Sequence, residues 1–210
     1  LEALDDGEQM GSAVGMCVIA VREQVERGRP EGVQAVFAPS ALDEMLKQCD
    51  FVVLAASLIA ATHGLINADR LAVMKPGACL IHVGRGAQVD EAALVEALRT
   101  RRIAGAALDV FEREPLPPES PPCSLENLLL TPHTAGLTDK LWHRHYELLS
   151  DNLRRYLEHK RLPFVVTREK DINCSPCYSF LDTCRALSTD SALHAKCISW
   201  DRTSWNRASF

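Results

Sequence analysis

Three side chains far apart in this sequence are suited to a single reaction. Arg85 stands between Gly84 and Gly86 in LIHVGRGAQVDE (Leu80 to Glu91), where an apolar run ends in a positive charge just ahead of a helix start. A planar guanidinium grips a carboxylate in a fork that lysine cannot reproduce, and glycines on both sides would let a ligand approach the backbone closely. His133 follows Thr131-Pro132 in NLLLTPHTAG, and Glu114 lies in FEREPLPP. A histidine backed by a carboxylate holds its proton more tightly, which suits an acid that protonates a carbonyl near neutral pH. Each residue also has a plainer reading: a surface arginine, a loop acid, a satisfied loop histidine. Asp109 at a strand end is either a turn former or a polar anchor for a cofactor ring.

The surrounding elements must bring these residues to one place. From residue 15 to about 132, short β-rich runs alternate with helix-like segments, the pattern of a parallel sheet covered by helices. Strands are predicted at Met16 to Val21, Val33 to Phe37, Phe51 to Ala55, Ala78 to Val83, Ile103 to Val110 and Asn127 to Thr131. Several are nearly uniformly apolar and are expected to be buried on both faces. Helices are predicted from their caps: Ser40 ahead of LDEMLKQ, Asn67 ahead of ADRLAV, and Asp90 ahead of EAALVEALRTRR. A longer helix over about Asp139 to His159 is expected to pack through Leu141, Leu148, Leu149, Leu153 and Leu157. In an open parallel sheet, ligands bind beyond the carboxyl ends of the strands. Arg85, Glu114 and His133 all follow strand ends, so they should converge on one rim.

Composition sets the outer bounds. The chain has 210 residues, 47% of them hydrophobic, enough for a real core, and its net charge of −5 argues against a nucleic-acid-binding surface. The longest apolar run, FVVLAASLIAA, is far short of the ~20 residues that a membrane-spanning helix needs, so no membrane partner is expected. The acidic LEALDDGEQMGS lacks the pattern of a secretory signal, which points to the cytoplasm. The 8 cysteines are read as free thiols of a reducing compartment. After Val166 the periodicity is lost. CSPC, with Cys184, His194 and Cys197 beyond it, matches no zinc-finger spacing well, and no metal site is expected.

The stretch from HGLINADRLAVMKPGACLIHVGRG through ALDVFEREPLPPESPP, together with NLLLTPHTAG, closely resembles the D-isomer-specific 2-hydroxyacid dehydrogenases, over about residues 13 to 166. The resemblance implies a hydride transfer between NAD(P)H and a small 2-keto or 2-hydroxy acid, of the glyoxylate or hydroxypyruvate type. It implies that Arg85 binds the substrate carboxylate and keto oxygen, His133 is the acid/base and Glu114 tunes His133. The cofactor would meet Arg22, Ala56, Val83, Arg85, Asp109, His133 and Gly136, with Asp109 touching the nicotinamide carboxamide. An acidic residue commonly ends the second strand of such folds to hold the adenosine ribose, whereas here Arg22 stands at or beside that place, so NADP(H) is favoured over NAD(H). If Arg22 is only a strand end, Glu23 takes the ribose role.

Two departures from the family pattern matter. No Gly-x-Gly-x-x-Gly turn is present, and GSAVG (Gly11 to Gly15) reads as the end of the helix that normally follows it. Ser57 and Ile59 also stand where relatives carry Pro and Thr. The expected fold is therefore α/β, an incomplete Rossmann-like doubly wound parallel sheet lacking its first strand. Its expected divisions are a partial NAD(P)-binding domain over 1–137, a helix returning toward a substrate domain over 138–166, and an appended segment over 167–210. The missing strand belongs mid-sheet, so either a gap of roughly 9.5 Å or direct pairing of its neighbours is expected. Weak cofactor binding and little turnover by the chain alone follow. A homodimer is the default assembly. A nucleotide-sensing, corepressor-like interaction protein of the same family is the alternative, with a non-functional fragment as a third reading.

Overall fold

The computed structural model describes residues 11–163 apart from Gln24, and the backbone of a strand at His194–Ser199. Residues 11–13 are helical and Gly15 turns the chain in the left-handed region (φ +78°), so GSAVG is the end of a helix, as predicted. Seven strands follow: β1 (Cys17–Arg22), β2 (Val33–Phe37), β3 (Phe51–Leu54), β4 (Cys79–His82), β5 (Gly105–Leu108), β6 (Leu128–Leu130) and β7 (His194–Ser199). They form one sheet in the order β2-β1-β7-β3-β4-β5-β6. The first six match the six predicted strands.

No gap separates β1 from β3, and the two do not pair with each other. Strand β7 lies between them, antiparallel to both, with His194 opposite Arg22 and Ser199 opposite Cys17. The physical reason is that a gap would leave two facing rows of backbone N–H and C=O groups unpaired in the middle of the sheet. One strand satisfies both rows. Segment 167–210 is thus not wholly appended, because residues 194–199 are integral to the sheet. CSPC and Cys184 lie outside the described residues.

After the helical end at residues 11–13, four further α-helices are described: α1 (Leu42–Leu46), α2 (Ala68–Val73), α3 (Glu91–Arg99) and α4 (Leu141–Leu157). Asn67 caps α2 by accepting from Arg70 N–H at 3.0 Å, and Asp90 caps α3 by accepting from Ala93 N–H at 2.9 Å. Ser40 does not cap α1. A 3-10 turn at Pro39–Ala41 absorbs it, and Ala41 precedes the helix.

One face of the sheet carries the main core. Ile19, Val52, Leu54, Leu80 and Leu108 pack with Met45 and Leu46 of α1, Leu71 of α2, and Leu94 and Leu98 of α3. The expectation of strands buried on both faces holds for β1, where Val18, Ile19, Ala20 and Val21 are all buried, and fails for β3 to β6 on the side opposite the main core. Phe51, Cys79, Ile81 and Ala107 are only half-buried there, and Leu129 is 65% exposed, because no described helix lies over them. Helix α4 also departs from expectation: Leu149, Leu153 and Leu157 are 60% exposed or more, so its apolar stripe does not pack on the sheet. Cys49 is fully buried and disulfide-bonded, which corrects the reading of free thiols at that position.

Candidate active site

The rim beyond β4, β5 and β6 gathers the three predicted residues. Strand β4 ends at His82 and the chain turns through Gly84, Arg85 and Gly86 into a 3-10 turn at Gly86–Gln88. Beyond β5, Phe111 leads to Glu114, and beyond β6, Pro132 leads to His133. The Nδ1 of His133 meets Oε2 of Glu114 at 2.7 Å, while Glu114 Oε1 accepts from Phe111 N–H at 3.0 Å. Burial raises the Glu114 carboxyl's pKa. The bond to His133, the Phe111 amide and the charges of His133 and Arg85 outweigh it and hold the group below its ordinary range. Arg85 is thus electrostatically part of the same site. Its side chain is exposed at the rim, with Nη1 donating to the Gly84 carbonyl at 2.7 Å.

The two glycines around Arg85 serve packing. A Cβ on Gly84 would overlap the Gln88 side-chain oxygen, and one on Gly86 would overlap the Phe111–Glu112 backbone. The close contact at Gly86 presses the Arg85 loop against the Glu114 loop. Glu91 fastens the same junction, accepting from Glu112 N–H at 2.6 Å. Burial raises the Glu91 carboxyl's pKa, a shift that this amide opposes and the nearby Glu112 charge reinforces.

His133 has φ +55°, a left-handed conformation that costs a non-glycine residue roughly 1–2 kcal/mol. Asp109 holds it there. The residue is 4% exposed, and its carboxylate accepts from Thr131 Oγ1 at 2.5 Å, Thr134 N–H at 2.8 Å and Ala135 N–H at 2.9 Å. Burial raises the pKa of Asp109, but these three bonds, with the His133 charge, bring it below the usual range. These bonds hold the turn that follows β6. An apolar-walled cleft of about 610 Å³ adjoins the pair, lined by Phe111, Glu114, Pro115, Leu130, Thr131 and His133.

The remaining predicted residues lie along the carboxyl edge. Arg22 ends β1 and donates from Nη1 to the Gly28 carbonyl at 3.4 Å. Ala56 is buried just past β3 and offers its carbonyl to Gln88. Val83 is 38% exposed past β4, and Gly136 faces open space. Gln88 and His82 have no assigned role in the sequence. Both are buried and bonded to the Arg85 backbone. The available signal was a glutamine between a glycine-flanked loop and the first turn of a helix, too weak alone to mark a role.

The family model described as D-isomer specific 2-hydroxyacid dehydrogenase, NAD binding domain, matches residues 7–135, more than half of the chain. The chain belongs to this family. As a member of this oxidoreductase family, it is 45% identical over 135 residues to a glyoxylate reductase of Thermococcus onnurineus, covering 64% of this chain and 40% of that protein. Among solved structures, it matches an NADPH-dependent glyoxylate/hydroxypyruvate reductase from Sinorhizobium meliloti, in complex with NADP and sulfate, with a TM-score of 0.70 at 31% identity. That match covers 79% of this chain and 52% of the other. A D-lactate dehydrogenase with NAD+ from Lactobacillus jensenii matches with a TM-score of 0.66 at 29% identity, covering 78% and 52%. The chain spans about two-fifths of the length of the first curated relatives it matches. The Rossmann-like sheet of this chain has β7 between β1 and β3.

Proposed function

We propose that this chain carries the acid/base and carboxylate-binding half of a 2-keto acid reductase acting on a small substrate such as glyoxylate or hydroxypyruvate. The observation that carries the reading is the 2.7 Å contact between His133 and Glu114 on the rim that also presents Arg85. Arg85 takes the substrate carboxylate through its guanidinium fork. The carboxylate of Glu114 accepts from Nδ1–H of His133, which leaves Nε2–H to donate a proton to the keto oxygen. In the reverse direction His133 accepts the hydroxyl proton, and a positioned group of this kind contributes about 10²- to 10⁴-fold in rate. A bound nicotinamide cofactor supplies or accepts the hydride at the 2-carbon.

The described residues fit one half of such a cofactor. Val83 offers an apolar wall, Gly136 leaves room, and Arg85 and His133 stand at the rim. For the pyrophosphate, no glycine-rich turn from strand to helix is found at this edge among the described residues, and β7 enters the sheet there at His194. Cofactor affinity is accordingly expected to be weak for this chain alone. Arg22 at the end of β1 favours a 2′-phosphate and hence NADP(H).

Titration of the purified chain with NADPH and NADH by cofactor fluorescence tests the cofactor reading, with tighter NADPH binding expected. Equal or tighter NADH binding would overturn the preference. Glyoxylate-dependent oxidation of NADPH, lost in Arg85→Ala and His133→Asn, tests the chemistry. Turnover that survives both substitutions would remove these residues from the reaction.

A further inference from the structure

Two fully buried polar side chains converge on the peptide groups of Arg85. Gln88 is 0% exposed: its Oε1 accepts from Arg85 N–H at 2.8 Å, and its Nε2 donates to the carbonyls of Ala56 at 3.1 Å and Ser57 at 3.2 Å. His82 is 1% exposed, with Nε2 donating to the Arg85 carbonyl at 2.9 Å and Nδ1 facing the Leu54 carbonyl at 3.4 Å. One residue therefore holds the amide of Arg85 and the other its carbonyl. Both have their far ends on the backbone at or just beyond the end of β3. Gly84 completes the arrangement, because any Cβ there would take the space of the Gln88 oxygen.

We propose that Gln88 and His82 are positioning residues that fix the direction in which Arg85 leaves the sheet toward a substrate carboxylate, an inference that rests on the reading of Arg85 given above. The fold alone does not call for them. Burying polar groups costs free energy unless every bond is made, and apolar side chains of similar volume would fill the same space. Their bonds are spent on the one rim residue whose guanidinium must meet a planar anion at a set angle. A long side chain on a loosely held backbone would lose that angle, and small misplacements weaken a fork contact steeply.

The variant Gln88→Met keeps the volume and removes all three hydrogen bonds, whereas Gln88→Glu keeps an acceptor for the Arg85 amide. Amide hydrogen exchange and calorimetric titration with oxalate, a two-carbon dicarboxylate, are read on the whole chain. Gln88→Met is expected to speed Arg85 amide exchange by about tenfold or more, with Leu94 and Leu98 of α3 unchanged, and to weaken oxalate binding about tenfold. Gln88→Glu should retain the Arg85 amide protection, which separates the bond from mere packing. His82→Leu should likewise weaken oxalate binding. Unchanged Arg85 exchange in Gln88→Met would overturn the proposal. So would oxalate affinity that persists in Gln88→Met and His82→Leu while Arg85→Lys abolishes it. If the unsubstituted chain binds no oxalate, the reading of Arg85 falls and takes this proposal with it. Binding that only Arg85→Lys removes defeats the brace alone.

Discussion

The carboxylate of Asp109 grips the chain on both sides of His133, bonding Thr131 before it and Thr134 and Ala135 after it. The imidazole is thereby held in a left-handed backbone turn with its Nδ1 on Glu114. Replacing Asp109 by Ala should release the turn and take away the shared acceptor of Thr131, Thr134 and Ala135. The expected loss is about 2–4 kcal/mol of stability, read from urea unfolding. A loss under about 0.5 kcal/mol would show that the turn is held by something else.

Glu114 acts through His133 and should affect chemistry more than substrate binding. In a preparation that reduces glyoxylate, Glu114→Gln should lower kcat by about 10²-fold with KM nearly unchanged, whereas Arg85→Lys should chiefly raise KM. Steady-state kinetics separate the two. A KM effect as large as the kcat effect at Glu114 would contradict its assignment.

Stability should fall in two stages as pH drops. Burial lowers the pKa of His82, against the opposing pull of the carbonyls of Leu54 and Arg85. Below the unfolded histidine pKa, about 6.5, the unfolded chain binds a proton that the folded chain resists, so stability declines as pH falls through that value toward the folded one. Asp109 and Glu114 also have depressed folded values, and their contributions are present above about pH 4 and lost below it. Urea midpoints between pH 8 and pH 3 measure both stages. His82→Asn should flatten the upper stage while leaving the lower one.

Strand β7 pairs on both edges, so a proline within it should be costly. Ile198 lies opposite Val18 and Phe51, and Ile198→Pro removes a ladder donor in mid-sheet. The expected result is a loss of at least about 2 kcal/mol, or a chain that aggregates through its opened edges. Thermal unfolding by circular dichroism and light scattering would detect either. Wild-type melting in the variant would show that the sheet does not depend on this strand.

Much of this architecture is legible in the residues. Uniform apolar runs mark six strands, Asn67 and Asp90 mark two helix starts, and strand-end positions mark Arg85, Glu114 and His133 for one rim. Local signals carry that information, since each concerns a few consecutive residues. The place of HAKCIS in the sheet is a long-range outcome: backbone pairing demands a strand there without specifying which one. The roles of Gly84, Gly86 and Gln88 are not legible for a related reason, because the partners of Gly86 and Gln88 are backbone atoms and that of Gly84 is the Gln88 side chain, none of which any periodicity reveals. Ser40 shows a competing effect, in which Pro39 began a tight turn one step earlier and displaced the expected cap. The apolar spacing marks the long helix but not its surroundings, since Leu149, Leu153 and Leu157 remain exposed.

The central position of β7 also bears on how this molecule is made. Residues 17–54 supply both flanks of the slot early in synthesis, while residues 194–199 leave the ribosome long afterward, so the nascent chain must keep two unsatisfied sheet edges apart until its last-formed keystone arrives. Contacts between residues so distant in sequence close slowly. Any factor that shields those edges during translation would therefore raise the yield of the finished molecule without altering its final energy.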